Sequence, residues 1–416
     1  MKTVSSLLLL LLVCFVFNGC LKDVKLQKYS FYTPIISLKT DVRNAIKSSA
    51  PQSIAMPGKI YVQGNYIYIN DLGKGIHIID YSQPSAPKNI AFIPIPGNEN
   101  LTIKGNYLYS DEYSDLLTID ITNPANAKLV TVSPNAFVNY YGSYVDSVHI
   151  ISGWRRTDTM VKGSIDVNRN YPIPGPVYLN DPQMFYASSN GAKSNNVSVG
   201  GSMARFTTVN DRLYTIYNSD IHVFDIKQPQ TPSFVQKTST SIWTIETIYP
   251  FENNLFIGSN DGMFIYNIDD ANNPTLVGNF AHIRTCDPVI AEENKAYVTL
   301  RSGTVCQGFT NELDVLNTTN ISNPVAIKTY PFTNPRGLSK DGNHLFICDG
   351  TDGLKILDAT DATNITLLKT VTGFEANDVI LNNGLAIVIA AEGLYLVDYS
   401  SIDNAHIVGK VQIAKQ

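Results

Sequence analysis

Charge is scarce in this chain. Only 16% of its 416 residues are Asp, Glu, Lys or Arg, and the formal net charge is −5. No basic run with interleaved aromatics is present, which argues against a nucleic-acid partner. Histidine is down to six residues, at positions 77, 149, 222, 282, 344 and 406, with no pair at i, i+3 or i, i+4 spacing. No metal is therefore expected, and no phosphate or nucleotide motif asks for a cofactor. Long hydrophobic runs are missing too. The apolar run at residues 7–17 is about 11 residues, whereas crossing a bilayer takes roughly 20, and no other stretch is long enough.

That short run has the form of an export signal. It follows a basic start at Lys2 and ends in Asn18, Gly19 and Cys20. The Gly19-Cys20 junction resembles a bacterial lipoprotein signal, with Phe17 and Asn18 where the usual pattern has Leu and a small residue. The resemblance implies that Cys20 is acylated and becomes the new N-terminus, holding the protein on a membrane without spanning it. An ordinary cleaved signal with a chance Cys is the alternative. The expected organisation is a signal peptide at 1–19, the lipidated Cys20 and a tether at 20–52, and one domain at 53–416. The tether carries a short helical pattern near Leu38, Val42, Ala45 and Ile46.

What the chain has in quantity is apolar residues, 44% of the total, arranged in repeats. Segments of the form apolar–x–apolar–apolar–Asp recur at 76–80 (IHIID), 116–120 (LLTID), 221–225 (IHVFD), 263–267 (MFIYN), 313–317 (LDVLN), 354–358 (LKILD) and 394–398 (LYLVD). Their last residues lie 40, 105, 42, 50, 41 and 40 apart. A unit of about 40–50 residues is the length of one four-stranded propeller blade. Pro turns follow the anchors at Pro84, Pro124, Pro229, Pro274 and Pro324, where a residue without an N–H belongs. The strands are apolar on nearly both faces, as in sheets packed between two neighbours. The fold class is thus all-β, a propeller of about seven four-stranded blades, or eight if the 105-residue gap hides another. Within that gap residues 154–203, rich in Gly, Pro, Asn and Ser, form an insertion.

The anchors resemble the LVIVD repeat, a propeller-forming motif of bacterial exported proteins in which an apolar strand ends in Asp and runs into a Ser/Thr-Asn-Pro turn. IHIID-YSQP at 76–84, LLTID-ITNP at 116–124 and LYLVD-YS at 394–400 carry the resemblance, while Asn267 departs from it. It implies a propeller over roughly 57–413 and says little about activity. The chain has no Trp-Asp dipeptide, and Trp154 and Trp243 are too few for quinone-dependent propeller dehydrogenases.

Few residues point to chemistry. In an oxidising compartment Cys286 and Cys306 are expected to pair, closing a loop of about 20 residues for about 3 kcal/mol. Cys348 reads as a buried apolar residue. Arg205, Arg284, Arg301 and Arg336, with Asp287, stand at the starts of repeats, where a propeller lines its channel. They form the candidate ligand set, suited to carboxylate or phosphate groups. No catalytic residue is assigned. The expected function is a non-catalytic binding or protein-interaction module, lipid-anchored at the cell envelope. It would be an outer-membrane lipoprotein facing the periplasm or the surface, with an envelope protein or glycan as ligand. The rival is an exported hydrolase or lyase with an Arg/Asp site in the channel.

Overall fold

A computed structural model describes residues 26–138, 141–162, 199–202, 204–240, 242, 245–281, 288–302 and 310–413. Seven four-stranded antiparallel sheets form a ring, each built from four consecutive strands. Blade 1 runs Pro57–Gln63, Tyr66–Asp71, Gly75–Asp80 and Lys88–Pro94 from the channel outward. The inner strands of blades 2 to 7 are Leu101–Lys104, Phe206–Val209, Ile245–Phe251, Val289–Glu292, Leu338–Asp341 and Ala376–Asn382. The count is seven, and the described residues of the 105-residue gap form no eighth blade.

The two-faced apolar pattern is explained by packing. Ile76, Ile78 and Ile93 of blade 1 pack with Leu108, Leu117 and Ile119 of blade 2. The next interfaces are filled in the same way, by Leu116 with Phe206 and Phe224, and by Ile221 and Val223 with Ile248 and Ile257. Each fully buried Leu, Ile or Phe stabilises by about 1.5–3 kcal/mol. Blade 1 and blade 7 meet through Ile60, Ile67, Ile69 and Ile79 against Ile380, Ile387, Leu394 and Leu396. No strand of blade 7 joins the sheet of blade 1. Side-chain packing closes the ring.

The anchor Asp makes a turn. Oδ1 of Asp80, Asp120, Asp225, Asp358 and Asp398 accepts from the backbone N–H two residues on, at Ser82, Thr122, Lys227, Thr360 and Ser400. Asn267 and Asn317 do the same for Asp269 and Thr319. An amide oxygen serves this Asx turn as well as a carboxylate does, which is why the repeat tolerates Asn267.

The region before blade 1 is more ordered than a tether. Residues 26–38 form a strand that pairs with His149–Lys162 in a two-stranded ribbon. Trp154 and the residues up to 162 are therefore strand, where their composition suggested loop. Residues 26–35 and 153–162 belong to a compact unit of their own, in which Ser30 Oγ donates to Asp158 Oδ1 at 2.8 Å. The ring and residues 36–152 belong to the other unit.

The short helix Lys39–Asn44 is held on blade 2 by the pairing of Lys39 and Arg43 with Asp115, and Arg43 also reaches Glu112. Lys39 Nζ lies 2.9 Å from Asp115, and Arg43 Nη2 lies 2.8 Å from Glu112. Burial pushes the Glu112 carboxyl up to about 7, and Arg43 only partly offsets this. The folded protein keeps the proton up to that pH, while the unfolded chain releases it near 4.5. Stability contributed by protonated Glu112 is therefore present below pH 4.5 and lost as pH rises to about 7, by up to about 3 kcal/mol. Melting temperature should fall between pH 5 and pH 7.5, and Glu112→Gln should flatten that slope. A wild-type melt independent of pH over this range would refute the assignment.

Candidate functional site

The inner strands enter the channel from one face. Pro57 opposes Asp71 and Leu338 opposes Ile347, so the start of an inner strand and the end of the second strand share that face. In three blades a buried Asp at the end of the second strand fixes this entry. Asp71 accepts from the N–H of Ala55 and Met56, Asp111 from Glu99 and Asn100, and Asp349 from Thr333 and Asn334. Asp111 also takes the side-chain amides of Asn98 at 3.1 Å and Asn100 at 2.6 Å. Each carboxylate satisfies two backbone donors that no strand reaches.

Charged side chains gather behind these clamps. Lys59, on the inner strand of blade 1, is 8% exposed and donates to Asn100 Oδ1 at 2.6 Å and to the Glu99 carbonyl at 3.2 Å. Burial pushes its ammonium down, and the Arg205 guanidinium adds to this, against Glu99, Asp111 and Glu246. Glu246, on the inner strand of blade 4, is pushed up by burial and pulled back by Arg205, Arg301 and Lys59. Lys59, Arg205 and Arg301 thus all act on the half-buried Glu246 carboxyl, although they come from blades 1, 3 and 5. Arg205 Nη2 also donates to the Ile245 carbonyl at 2.6 Å.

The channel itself is occupied by the chain. Val199–Gly200 adds a fifth strand to the channel side of blade 1, and Gly201 N–H donates to the Ile60 carbonyl at 3.4 Å. Ser202 Oγ then accepts from Leu338 N–H of blade 6 at 2.9 Å and donates to Asp378 Oδ1 of blade 7 at 3.3 Å. Ala204 accepts from Ile248 N–H of blade 4 at 2.8 Å. Within six residues the end of the insertion has touched blades 1, 6, 7 and 4, so it crosses the channel. Ser202 is fully buried there.

Of the sequence-derived arginines, Arg205 and Arg301 both act on Glu246, and Arg336 is engaged elsewhere. Arg336 is buried between blades 6 and 7, with Nη1 on Asn377 Oδ1 and Nη2 2.5 Å from Glu375. Its carbonyl accepts from Thr299 Oγ1 at 2.6 Å, a seam-closing role. Arg284, Asp287, Cys286, Cys306 and Cys20 lie outside the described residues. Cys348 is fully buried in the strand His344–Cys348, and burial raises its thiol. Sequence reading missed Lys59 and Glu246. Their signal was a charge inside an otherwise apolar inner strand, at GKIYV and IETIY.

Three segments match the model of the LVIVD repeat, at residues 56–91, 98–132 and 336–372. They fall on blades 1, 2 and 6, where the buried Asp clamps of Asp71, Asp111 and Asp349 lie. No curated protein matches the chain. Among solved structures, the computationally designed Ika8 protein matches 89% of this chain and 92% of its own at 8% identity and a TM-score of 0.52. A functionally unknown protein from Desulfotomaculum acetoxidans matches 85% of this chain and 95% of its own at 13% identity and a TM-score of 0.52. Likeness at such identities speaks to the fold alone.

Proposed function

We propose that this seven-bladed propeller with LVIVD repeats is a non-catalytic binding module of the cell envelope, held by a lipid on Cys20 and meeting its ligand at the channel mouth. The observation that supports the reading is that Lys59 and Arg205, each held by hydrogen bonds at the inner strands, act with Arg301 on the Glu246 carboxyl. Guanidinium forks in a poorly hydrated setting favour a carboxylate, and a neighbouring protein carboxylate accepts hydroxyl or amide donors. An acidic envelope glycan or a peptide carboxylate has both features. The location is the outer membrane, on its periplasmic or surface side.

The test is the melting temperature of the detergent-solubilised full-length protein with oligogalacturonate, acidic tetrapeptides and their neutral counterparts. An acidic probe should raise the melting temperature, and Arg205→Ala and Glu246→Gln should lose that rise beyond any change in their unliganded melting. No rise with any acidic probe removes the site. Cleavage of the oligogalacturonate or the peptide in the same incubation would instead establish the hydrolase or lyase. Cys20→Ala should leave the membrane fraction; retention there removes the anchor.

A further inference from the structure

The outer strand of blade 2, Lys128–Ser133, is a sheet edge that the chain covers only halfway. Ser48 N–H donates to the Ala127 carbonyl at 2.8 Å, Leu129 N–H donates to the Ile46 carbonyl at 3.1 Å, and Lys47 bridges Lys128. The same segment then pairs with the edge of blade 1, where Ser49 and Phe92 exchange backbone hydrogen bonds at 2.8 and 3.2 Å. Extended chain therefore already adds to blade edges in this protein. Among the described residues no second strand pairs with this edge beyond Leu129.

Where the cover stops, a groove of about 320 Å³ opens between Arg43, Asn44, Ile46 and Lys47 on one side and residues 128–132 on the other. Val130 lies in it, 41% exposed, at the point where the strand register shifts. Lys47 and Lys128 are exposed and have no ion pair among the described residues. The groove thus offers an open backbone edge, the apolar Val130 and two exposed cations, of which Lys128 also faces Asp120 across the strand pair.

We infer that this groove takes an extended acidic segment of a partner protein as an added strand on blade 2. Strand addition gains affinity from main-chain hydrogen bonds and specificity from alternate side chains. Here one set would rest on Val130 and the other would meet Lys47 and Lys128. A second copy of this chain is the poorer occupant on charge. None of its seven outer strands (KNIAFIP, KLVTVS, SFVQKTS, TLVGNFA, VAIKTYP, TLLKTV and HIVGKVQ) contains Asp or Glu. The inference does not depend on the channel mouth.

Fluorescence anisotropy of the detergent-solubilised full-length protein tests it, with a labelled peptide alternating Glu with Val and Thr and a matched peptide carrying Lys for Glu. The acidic peptide should bind saturably and the basic one should not. The double variant Lys47→Glu/Lys128→Glu, at surface positions, should weaken the acidic peptide about tenfold or more at unchanged melting temperature. Thr131→Pro should weaken it as well, by spoiling the edge. Equal binding of both peptides, or undiminished binding by the double variant, overturns the inference. So does a reversible dimer in sedimentation that Lys128→Glu dissolves, because the occupant is then a second copy.

Discussion

Replacing Asp111 with alanine should destabilise the protein by about 4 kcal/mol, the largest loss expected from any single polar side chain described above. The carboxylate is 2% exposed and accepts from the N–H groups of Glu99 and Asn100 and from the amides of Asn98 and Asn100. Alanine leaves these donors buried without an acceptor, at about 1–3 kcal/mol for each that cannot find one. Lys59 would lose a nearby negative charge as well. Asp111→Asn keeps one acceptor oxygen and should cost roughly half as much. Thermal unfolding followed by circular dichroism measures both. If Asp111→Ala melts within a degree of wild type, the clamp is not what holds the entry to blade 2.

This clamp marks the limit of what the sequence made legible. The ring and its blade count follow from the spacing of the anchors, because a four-stranded unit between two neighbours must repeat its apolar pattern at a fixed period. The role of the anchor Asp was hidden until seven equivalent Asx turns could be compared. The clamp Asp ends a strand of no special composition, YIYIND in blade 1 and HLFICD in blade 6. Its partners lie 11 to 16 residues away along the chain. Lys59 and Glu246 escaped for a related reason. Residues from blades 1, 3, 4 and 5 meet only because the ring closes, and local sequence has no register for that. The channel-crossing segment at 199–202 is short and Gly-rich, so nothing in its composition marks it as a strand.

Ring closure itself supplies the second large effect. Along the ring, the outer strand of one blade lies against the turn that follows the anchor of the next. Lys328 Nζ reaches the Thr363 carbonyl and Lys369 Nζ the Asp403 carbonyl, at 2.7 and 2.9 Å. At two positions no side chain fits. A Cβ on Gly278 would overlap the Ile321 carbonyl oxygen, and one on Gly409 would overlap that of Pro84. The second contact is the seam between blade 7 and blade 1, where no shared strand resists separation. The obstacle is backbone, so rotamer change cannot relieve it, and overpacking of this kind costs about 3 kcal/mol. Gly409→Ala should therefore lower the melting temperature by several degrees and speed amide exchange at residues 57–63 and 376–382, on either side of the seam. Gly278→Ala should lower it comparably without opening that seam, since blades 4 and 5 stay closed by their neighbours. Gly64→Ala is the control: it has open space around it, and costs only the about 1 kcal/mol of placing a side chain at positive φ. If Gly409→Ala exchanges no faster at the seam than Gly278→Ala, the ring is closed by something other than the packing of blade 7 on blade 1. The strand at 199–202, which ties blade 1 to blades 6 and 7 from inside the channel, is then the element that holds it.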